Sequence, residues 1–290
     1  MASEGPARTI QKILTWTADY FKSRDIESSR LAAELLLGHA LGLNRLDLYL
    51  QHDRPLQPDE LALYKTLIQR RIKKEPVAYI TGRKGFYLSD YTVSPDVLIP
   101  RPDTEVLVET AIAQLNPSGN QKVLELGVGS GAVILSIARA GFNCTCFGVD
   151  ISEKAAALAA ENGKKELQKG GMALATGSWF SCFKKIPYFD LIVSNPPYIL
   201  TSAIDLLEPE IRFYEPRIAL DGGEDGLCCI KKIIETAYLH LKSKGVLLLE
   251  TGCDQKKQVA ALAGQTGKYE TVVYTKDLMG RNRVAKLVKK

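Results

Sequence analysis

The feature that most constrains this chain is a short apolar strand, Val123 to Leu126, running into Gly127-Val128-Gly129-Ser130-Gly131 and then a helix from Ala132 to Ala140. Glycines let a ligand approach the backbone closely, and the free N–H groups of the helix's first turn point at it. The following segments keep alternating. Cys144 to Val149, ending at Asp150, reads as a strand, and Glu153 to Gln168 as an alanine-rich helix. Ala173 to Thr176 and Asp190 to Val193 read as strands, Asp225 to Leu241 as a helix and Val246 to Leu249 as a buried strand. Tyr269 to Thr275 and Arg283 to Val288 complete the set. This predicts an α/β fold with a mostly parallel, doubly wound sheet and helices on both faces. In such sheets ligands sit beyond the carboxyl ends of the strands.

Upstream the pattern differs. Thr9 to about Lys74 reads as helices: Leu31, Leu35 and Leu36 fall at helical spacing, and Leu61, Leu63, Leu67 and Ile68 follow the helix start Pro58-Asp59-Glu60. From Pro76, the runs Val77 to Ile80 and Gly85 to Val93 are aromatic and β-branched, with Gly82 and Ser89-Asp90 as turn signals, which predicts a β-hairpin linker. Pro102 to Thr104 then opens a helix through Leu115. The expected organisation is a helical domain over 1–75, a hairpin linker over 76–100 and the α/β domain over 101–290.

Composition narrows the function classes. No apolar run reaches the ~20 residues of a membrane helix. Met1 to Ile10 carries Glu4 and Pro6 and no signal-peptide core, so a cytoplasmic protein is expected. Cys144, Cys146, Cys182, Cys228, Cys229 and Cys253 form no Cys-x-x-Cys pair, and Cys144 and Cys146 alternate in an apolar run as buried strand residues would. His39, His52 and His240 are scattered, so no metal site is expected. A net charge of +5 is too mild for a dedicated nucleic-acid binder. Arg70-Arg71-Ile72-Lys73-Lys74 and the run from Arg281 to Lys290 read first as a solvated helix face and a solvated end, and second as a docking surface for an acidic or RNA-bound partner. A monomer is expected.

The glycine spacing is Gly-x-Gly-x-Gly with Ala132 next, unlike the dinucleotide fingerprint, and no Gly-Lys-Ser/Thr follows. It resembles the first motif of S-adenosylmethionine methyltransferases. Asp150 closes the next strand about 20 residues on, where a ribose-binding acid belongs. An N-cap is the competing role, but Ser152 is placed for that. Trp179, after Ser178, is positioned to stack on adenine, with an ordinary core tryptophan as the alternative.

The most informative stretch is the buried strand Asp190-Leu191-Ile192-Val193-Ser194 entering Asn195-Pro196-Pro197-Tyr198. Two prolines fix the backbone and remove two N–H donors. The Pro196 carbonyl and the Asn195 side-chain oxygen then act as paired acceptors, and Tyr198 offers an aromatic wall to a flat group. An amide or aromatic amine nitrogen is a poor nucleophile because its lone pair is delocalised. Two acceptors gripping its hydrogens aim that lone pair and stabilise the charge growing on nitrogen.

On these residues the chain resembles the release factor glutamine methyltransferases, the PrmC (HemK) family. The resemblance is carried by Glu75-Pro76-Val77-Ala78-Tyr79-Ile80-Thr81-Gly82, by Ser94-Pro95-Asp96-Val97-Leu98-Ile99-Pro100-Arg101-Pro102-Asp103-Thr104-Glu105 and by Val193-Ser194-Asn195-Pro196-Pro197-Tyr198-Ile199. Arg212-Phe213, Glu215-Pro216 and Gly280-Arg281-Asn282-Arg283-Val284 add to it. It implies a seven-stranded Rossmann-like class I methyltransferase sheet with a small N-terminal helical domain that docks substrate and a hairpin linker. It also implies transfer of a methyl group from S-adenosylmethionine to the glutamine amide nitrogen of the Gly-Gly-Gln loop of peptide chain release factors, with no direct nucleic acid substrate. Gly127, Val128, Gly129, Ser130, Gly131, Asp150, Trp179 and Asn195 would contact the cofactor; Asn195, Pro196, Pro197 and Tyr198 would hold the glutamine; Pro100 to Thr104 would lie near the methionine end. The chain departs from the family at Ser178, where an acid is common, and at Glu125 and Val128, where Asp and Thr are usual. The alternative reading is a methyltransferase acting on a nucleic-acid base amino group, which would use the same loop on a flipped base.

Overall fold

The structure, a computed structural model, describes residues 8–167 and 172–290. The expectations for Glu4, Pro6 and Gln168 lie outside the described residues. The chain divides into two units; one ends at Gly82 and also takes in Pro209–Tyr214, and the other holds the rest.

The first unit is helical. In α1 (Ile10–Lys22) Ile10, Leu14, Thr17 and Phe21 form one buried stripe, and the Thr9 side chain caps the start. α2 (Ser29–Leu41) buries Ala33, Leu36 and Leu37, α3 (Arg45–Leu50) buries Leu48, and α4 (Pro58–Ile72) buries Tyr64, Leu67 and Ile68. These side chains make one core. Val77 to Ile80 differ from expectation, forming the helical turn α5 (Val77–Thr81) after Pro76 rather than a strand. A short apolar run has no decisive period of its own, and here burial of Tyr79 and Ile80 decides the outcome. Arg71, expected on a solvated face, is buried and pairs with Glu210 at 2.5 Å.

The second unit opens with the hairpin β1 (Arg83–Phe86) and β2 (Ser89–Thr92), in which Phe86 pairs with Ser89. The turn is therefore Tyr87-Leu88, not Ser89-Asp90. Tyr87 holds φ +54°, and its N–H donates to Glu105 Oε1 at 3.0 Å. α6 (Glu105–Ile112) follows a short 3-10 turn, Pro102–Thr104.

Then come β3 (Gln121–Leu126), α7 (Ala132–Arg139), β4 (Cys144–Asp150), α8 (Glu153–Glu166), β5 (Ala173–Thr176), β6 (Phe189–Ser194) and the short α9 (Thr201–Ile204). α10 (Pro209–Tyr214) belongs to the helical unit. α11 (Cys228–Ala237), β7 (Leu241–Glu250), α12 (Lys256–Thr266), β8 (Val273–Lys276) and β9 (Asn282–Val288) finish the chain. The seven-stranded order is β5-β4-β3-β6-β7-β9-β8, with β9 antiparallel to both neighbours. The order reverses between β3 and β6, where two strand ends diverge and leave a crevice.

Alternate side chains of the central strands feed two cores. Val123, Leu191, Val193 and Leu248 face α6 and α7; Leu124, Leu126, Ile192, Leu247 and Leu249 face α11 and α12. Leu241, expected to end a helix, begins β7 instead. The basic run from Arg281 is not a solvated end, because Asn282–Val288 is an inner strand and Arg283 is buried, pairing with Asp103 at 2.6 Å and Asp277 at 3.2 Å.

Candidate active site

A cleft of about 590 Å³ lies within the second unit at the carboxyl ends of β3, β4 and β6. Its floor is the glycine loop. Gly127, Gly129 and Gly131 all hold positive φ, +73°, +51° and +81°, conformations that disfavour any side chain. The Gly127 and Val128 N–H groups donate to Val149 O at 2.8 and 3.0 Å, tying the loop to the end of β4. Asn162 fixes the far side: its Nδ2 donates to Ser130 O and Thr92 O, and its Oδ1 accepts from the Thr92 N–H.

Asp150 stands beside this loop. Its Oδ2 accepts from the Gly129 N–H and its Oδ1 from the Ser152 N–H, both at 2.9 Å, so the carboxylate is oriented before any ligand arrives. Ser152 is the N-cap of α8, accepting from the Ala155 N–H. Trp179 keeps φ +52°, a conformation that costs a bulky residue ~1–3 kcal/mol. Its ring edge lies about 4.0 Å from where a Gly127 Cβ would stand. Gly127, Val128, Gly129, Ser130, Asp150, Ser178, Trp179, Asn195 and Pro197 all line the cleft. Gly131, Pro196 and Tyr198 do not: Gly131 packs against Leu135 and Ala159, Pro196 is buried, and the Tyr198 hydroxyl points to Glu250.

Asn195 follows β6 directly. Ser194 Oγ donates to Leu126 O at 2.7 Å, which locks the end of β6 to β3. Asn195 Nδ2 donates to Thr104 Oγ1 at 3.1 Å, so the nitrogen side of the amide is engaged and the oxygen is left to accept. The loop backbone beyond is clamped. Gln255 Nε2 donates to Tyr198 O at 3.2 Å, the Ile199 N–H to Leu220 O, and the Gly222 N–H to Ile199 O. A Cβ on Gly226, at φ +70°, would stand 2.6 Å from Tyr198 O. Gly226→Ala is therefore expected to shift the Tyr198 peptide and lower turnover ~10-fold or more, as displaced catalytic groups do. Steady-state turnover of the variant tests this, and parental turnover would show that the clamp does not govern the loop.

Of two buried carboxylates, Glu125 lines the cleft and Glu250 lies beside the Tyr198 hydroxyl. Burial pushes Glu125 well above the usual carboxylate range, against the pull of the Ile134 N–H that bonds its Oε2. Burial likewise pushes Glu250 up to about 7, opposed by Thr104, Arg283 and Tyr198. Asn162, Glu250 and Gln255 were not singled out in the sequence, and Thr104 only as the end of the stretch Pro100 to Thr104. Each acts through contacts more than 25 residues away in the chain, with no local signal.

The family described as PrmC N-terminal domain matches residues 12–82, and a methyltransferase domain family matches residues 117–288. The release factor glutamine methyltransferase of Geobacter sulfurreducens is 43% identical over 259 residues, 89% of each chain. That of Caulobacter vibrioides is 38% identical over 283 residues, 97% of each. Among solved structures, a methyltransferase from Pyrococcus furiosus aligns with TM-score 0.50 at 21% identity, covering 69% of this chain and 89% of its own. A 16S rRNA methyltransferase of T. thermophilus aligns at 0.51 and 19%, covering 72% of this chain and 50% of its own. At such identities these two speak for the fold alone. The near full-length identity to curated relatives carries more: the chain belongs to the release factor glutamine methyltransferase family.

Proposed function

We propose that this protein transfers a methyl group from S-adenosylmethionine to the side-chain amide nitrogen of the glutamine in the Gly-Gly-Gln loop of peptide chain release factors, in the cytoplasm. The observation that carries the reading is Asn195 at the cleft wall, its amide nitrogen held by Thr104 and its oxygen left to accept. The substrate rests on the name shared by the curated relatives.

The residues present suit the cofactor. The space above Gly129 is open, with no atom within 4 Å of a Cβ built there. Asp150 is oriented with lone pairs to spare for ribose hydroxyls, and Trp179 offers a ring beside the glycine loop. Gly127 to Ser130, Asp150, Trp179 and Asn195 are the groups that would hold it. When bound, S-adenosylmethionine supplies an electrophilic methyl group on a sulfonium centre. The chain's own work is positioning. Asn195 Oδ1 at the cleft wall takes one hydrogen of the substrate amide, and the Pro196 carbonyl, whose ring is buried but whose carbon is bonded to the cleft-lining Pro197, takes the other; together they fix the amide plane and favour the positive charge that develops on nitrogen. Tyr198 bounds the loop, and the prolines leave no N–H there to compete. Methyl transfer from labelled S-adenosylmethionine to a purified release factor, beside total RNA and DNA, tests the reading; label in the nucleic acids alone would defeat it.

A glutamine side chain is too small to select one site among many, so binding energy from the rest of the substrate must contribute. We assign that role to the helical unit. Trp16 is 57% exposed and stacks on Tyr20 at 5.2 Å, a rigid aromatic surface of the type that anchors protein partners. Trp16→Glu is expected to lower kcat/KM for the intact release factor ~10-fold or more, in keeping with loss of an aromatic anchor. A short Gly-Gly-Gln peptide should be unaffected. Equal loss on both substrates would argue against a docking role.

A further inference from the structure

Glu250 ends β7 at 2% exposure, within the body of the second unit, and it does not line the cleft. A carboxylate is costly to bury unless something is made of it. Its Oε1 accepts from the Tyr198 hydroxyl at 3.2 Å. Glu250 Oε2 is buried with no hydrogen bond of ordinary geometry among the described residues, and the Thr104 hydroxyl is near enough to favour the ionised form of the same carboxylate. Thr104 Oγ1 in turn accepts from Asn195 Nδ2. A hydroxyl has one proton to give. If Thr104 gives it to Glu250, its oxygen is obliged to receive from Asn195, and the Asn195 amide has one orientation. The other charged groups facing Glu250 are Arg283 on β9 and Asp103 in the 3-10 turn, with Asp277 held by Arg283.

We propose that Glu250 is the positioning residue for both ends of the Asn195–Tyr198 loop: its ionised carboxylate accepts from Tyr198 directly and from Thr104, and through Thr104 it turns the Asn195 side-chain oxygen into the cleft. This rests on the reaction proposed above. Protonation of Glu250 at Oε2 turns that oxygen from an acceptor into a donor, while Oε1 can still accept from Tyr198. The Thr104 hydroxyl can then donate its hydrogen bond to the Asn195 side-chain oxygen and draw that oxygen away from the substrate. Turnover therefore rises with pH as Glu250 ionises and levels off above about 7. The effect on stability has the opposite sign. A carboxyl raised in the folded state favours folding most below its unfolded value and loses that contribution as pH rises through about 7. A neutral residue at this position keeps the fold and loses the function.

Glu250→Gln is the test, read at pH 8. The expected result is kcat down ~10–10²-fold, the cost of a misplaced catalytic group, with S-adenosylmethionine affinity by calorimetry changed by less than the rate, thermal stability not reduced, and the rising pH limb gone. Thr104→Val should lower kcat similarly, and Thr104→Ser should restore it. A second readout needs no turnover. The Asn195 side-chain amide resonances, identified by their loss in Asn195→Ala, should titrate with pH in the parent and not in Glu250→Gln. Parental kcat in Glu250→Gln, or Asn195 resonances that titrate identically in both proteins, would overturn the proposal. If the parent itself methylated no release factor, the functional reading would fall, and the Asn195 titration would still decide this one.

Discussion

Replacing Asn195 by alanine is expected to lower kcat on a release factor ~10²–10³-fold, the cost of deleting one preorganised hydrogen-bond partner of the transition state. The substitution removes the oxygen that receives a substrate amide hydrogen and leaves the Pro196 carbonyl as the sole acceptor. The sheet should not notice, since Asn195 lies past the end of β6 and Ser194 keeps its bond to Leu126. Cofactor affinity should change by less than the rate, because Asn195 supplies one wall of a cleft whose binding groups lie mainly on the glycine loop and β4. Single-turnover kinetics with calorimetry separate the two. Turnover within a few-fold of the parent would remove Asn195 from the role given to it.

The second large effect is on the cofactor. Gly129→Val puts a β-branched side chain where φ is +51° and projects it into the open space above the loop. Binding of S-adenosylmethionine should fall below detection. Asp150→Ala removes acceptors for two ribose hydroxyls, each charge-assisted bond contributing ~1.5–3 kcal/mol, so the Kd should rise ~10²-fold or more. It also frees the Gly129 and Ser152 N–H groups that Asp150 holds in the folded protein. Calorimetry showing parental affinity in both variants would dismiss the site.

The parallel core of the fold was legible because its strands are near-continuous apolar runs, each ending at a residue with a visible purpose. β5 has the predicted bounds, and β3, β4, β6 and β9 differ by a residue or two. α12 was missed because only Val259 and Ala263 are buried on it, too few to make a stripe. The turn at Tyr87 and the left-handed backbone of Trp179 gave no signal, since neither residue type favours positive φ. In both cases tertiary contacts impose the conformation: Glu105 receives the Tyr87 N–H, and the Trp179 ring lies against the glycine loop. The residues of the site that could be named beforehand are those in short motifs or at fixed spacing from them: Gly127 to Gly131, Asp150, Trp179, Asn195 to Tyr198 and, through the resemblance, Pro100 to Thr104. Those that could not are the supports. Asn162 meets Ser130 from 32 residues away and Glu250 meets Tyr198 from 52, and a carboxylate at the end of an apolar strand reads in isolation as an ordinary strand terminus.

The central claim is that the paired acceptors at Asn195 and Pro196 serve a glutamine amide. The most direct measurement is peptide mass spectrometry of a release factor after incubation with the protein and S-adenosylmethionine. One added methyl group is expected on the glutamine of the Gly-Gly-Gln loop, formed ~10²–10³-fold more slowly when Asn195→Ala replaces the parent protein. An unmodified release factor, with the methyl group recovered on an RNA or DNA base instead, would contradict it.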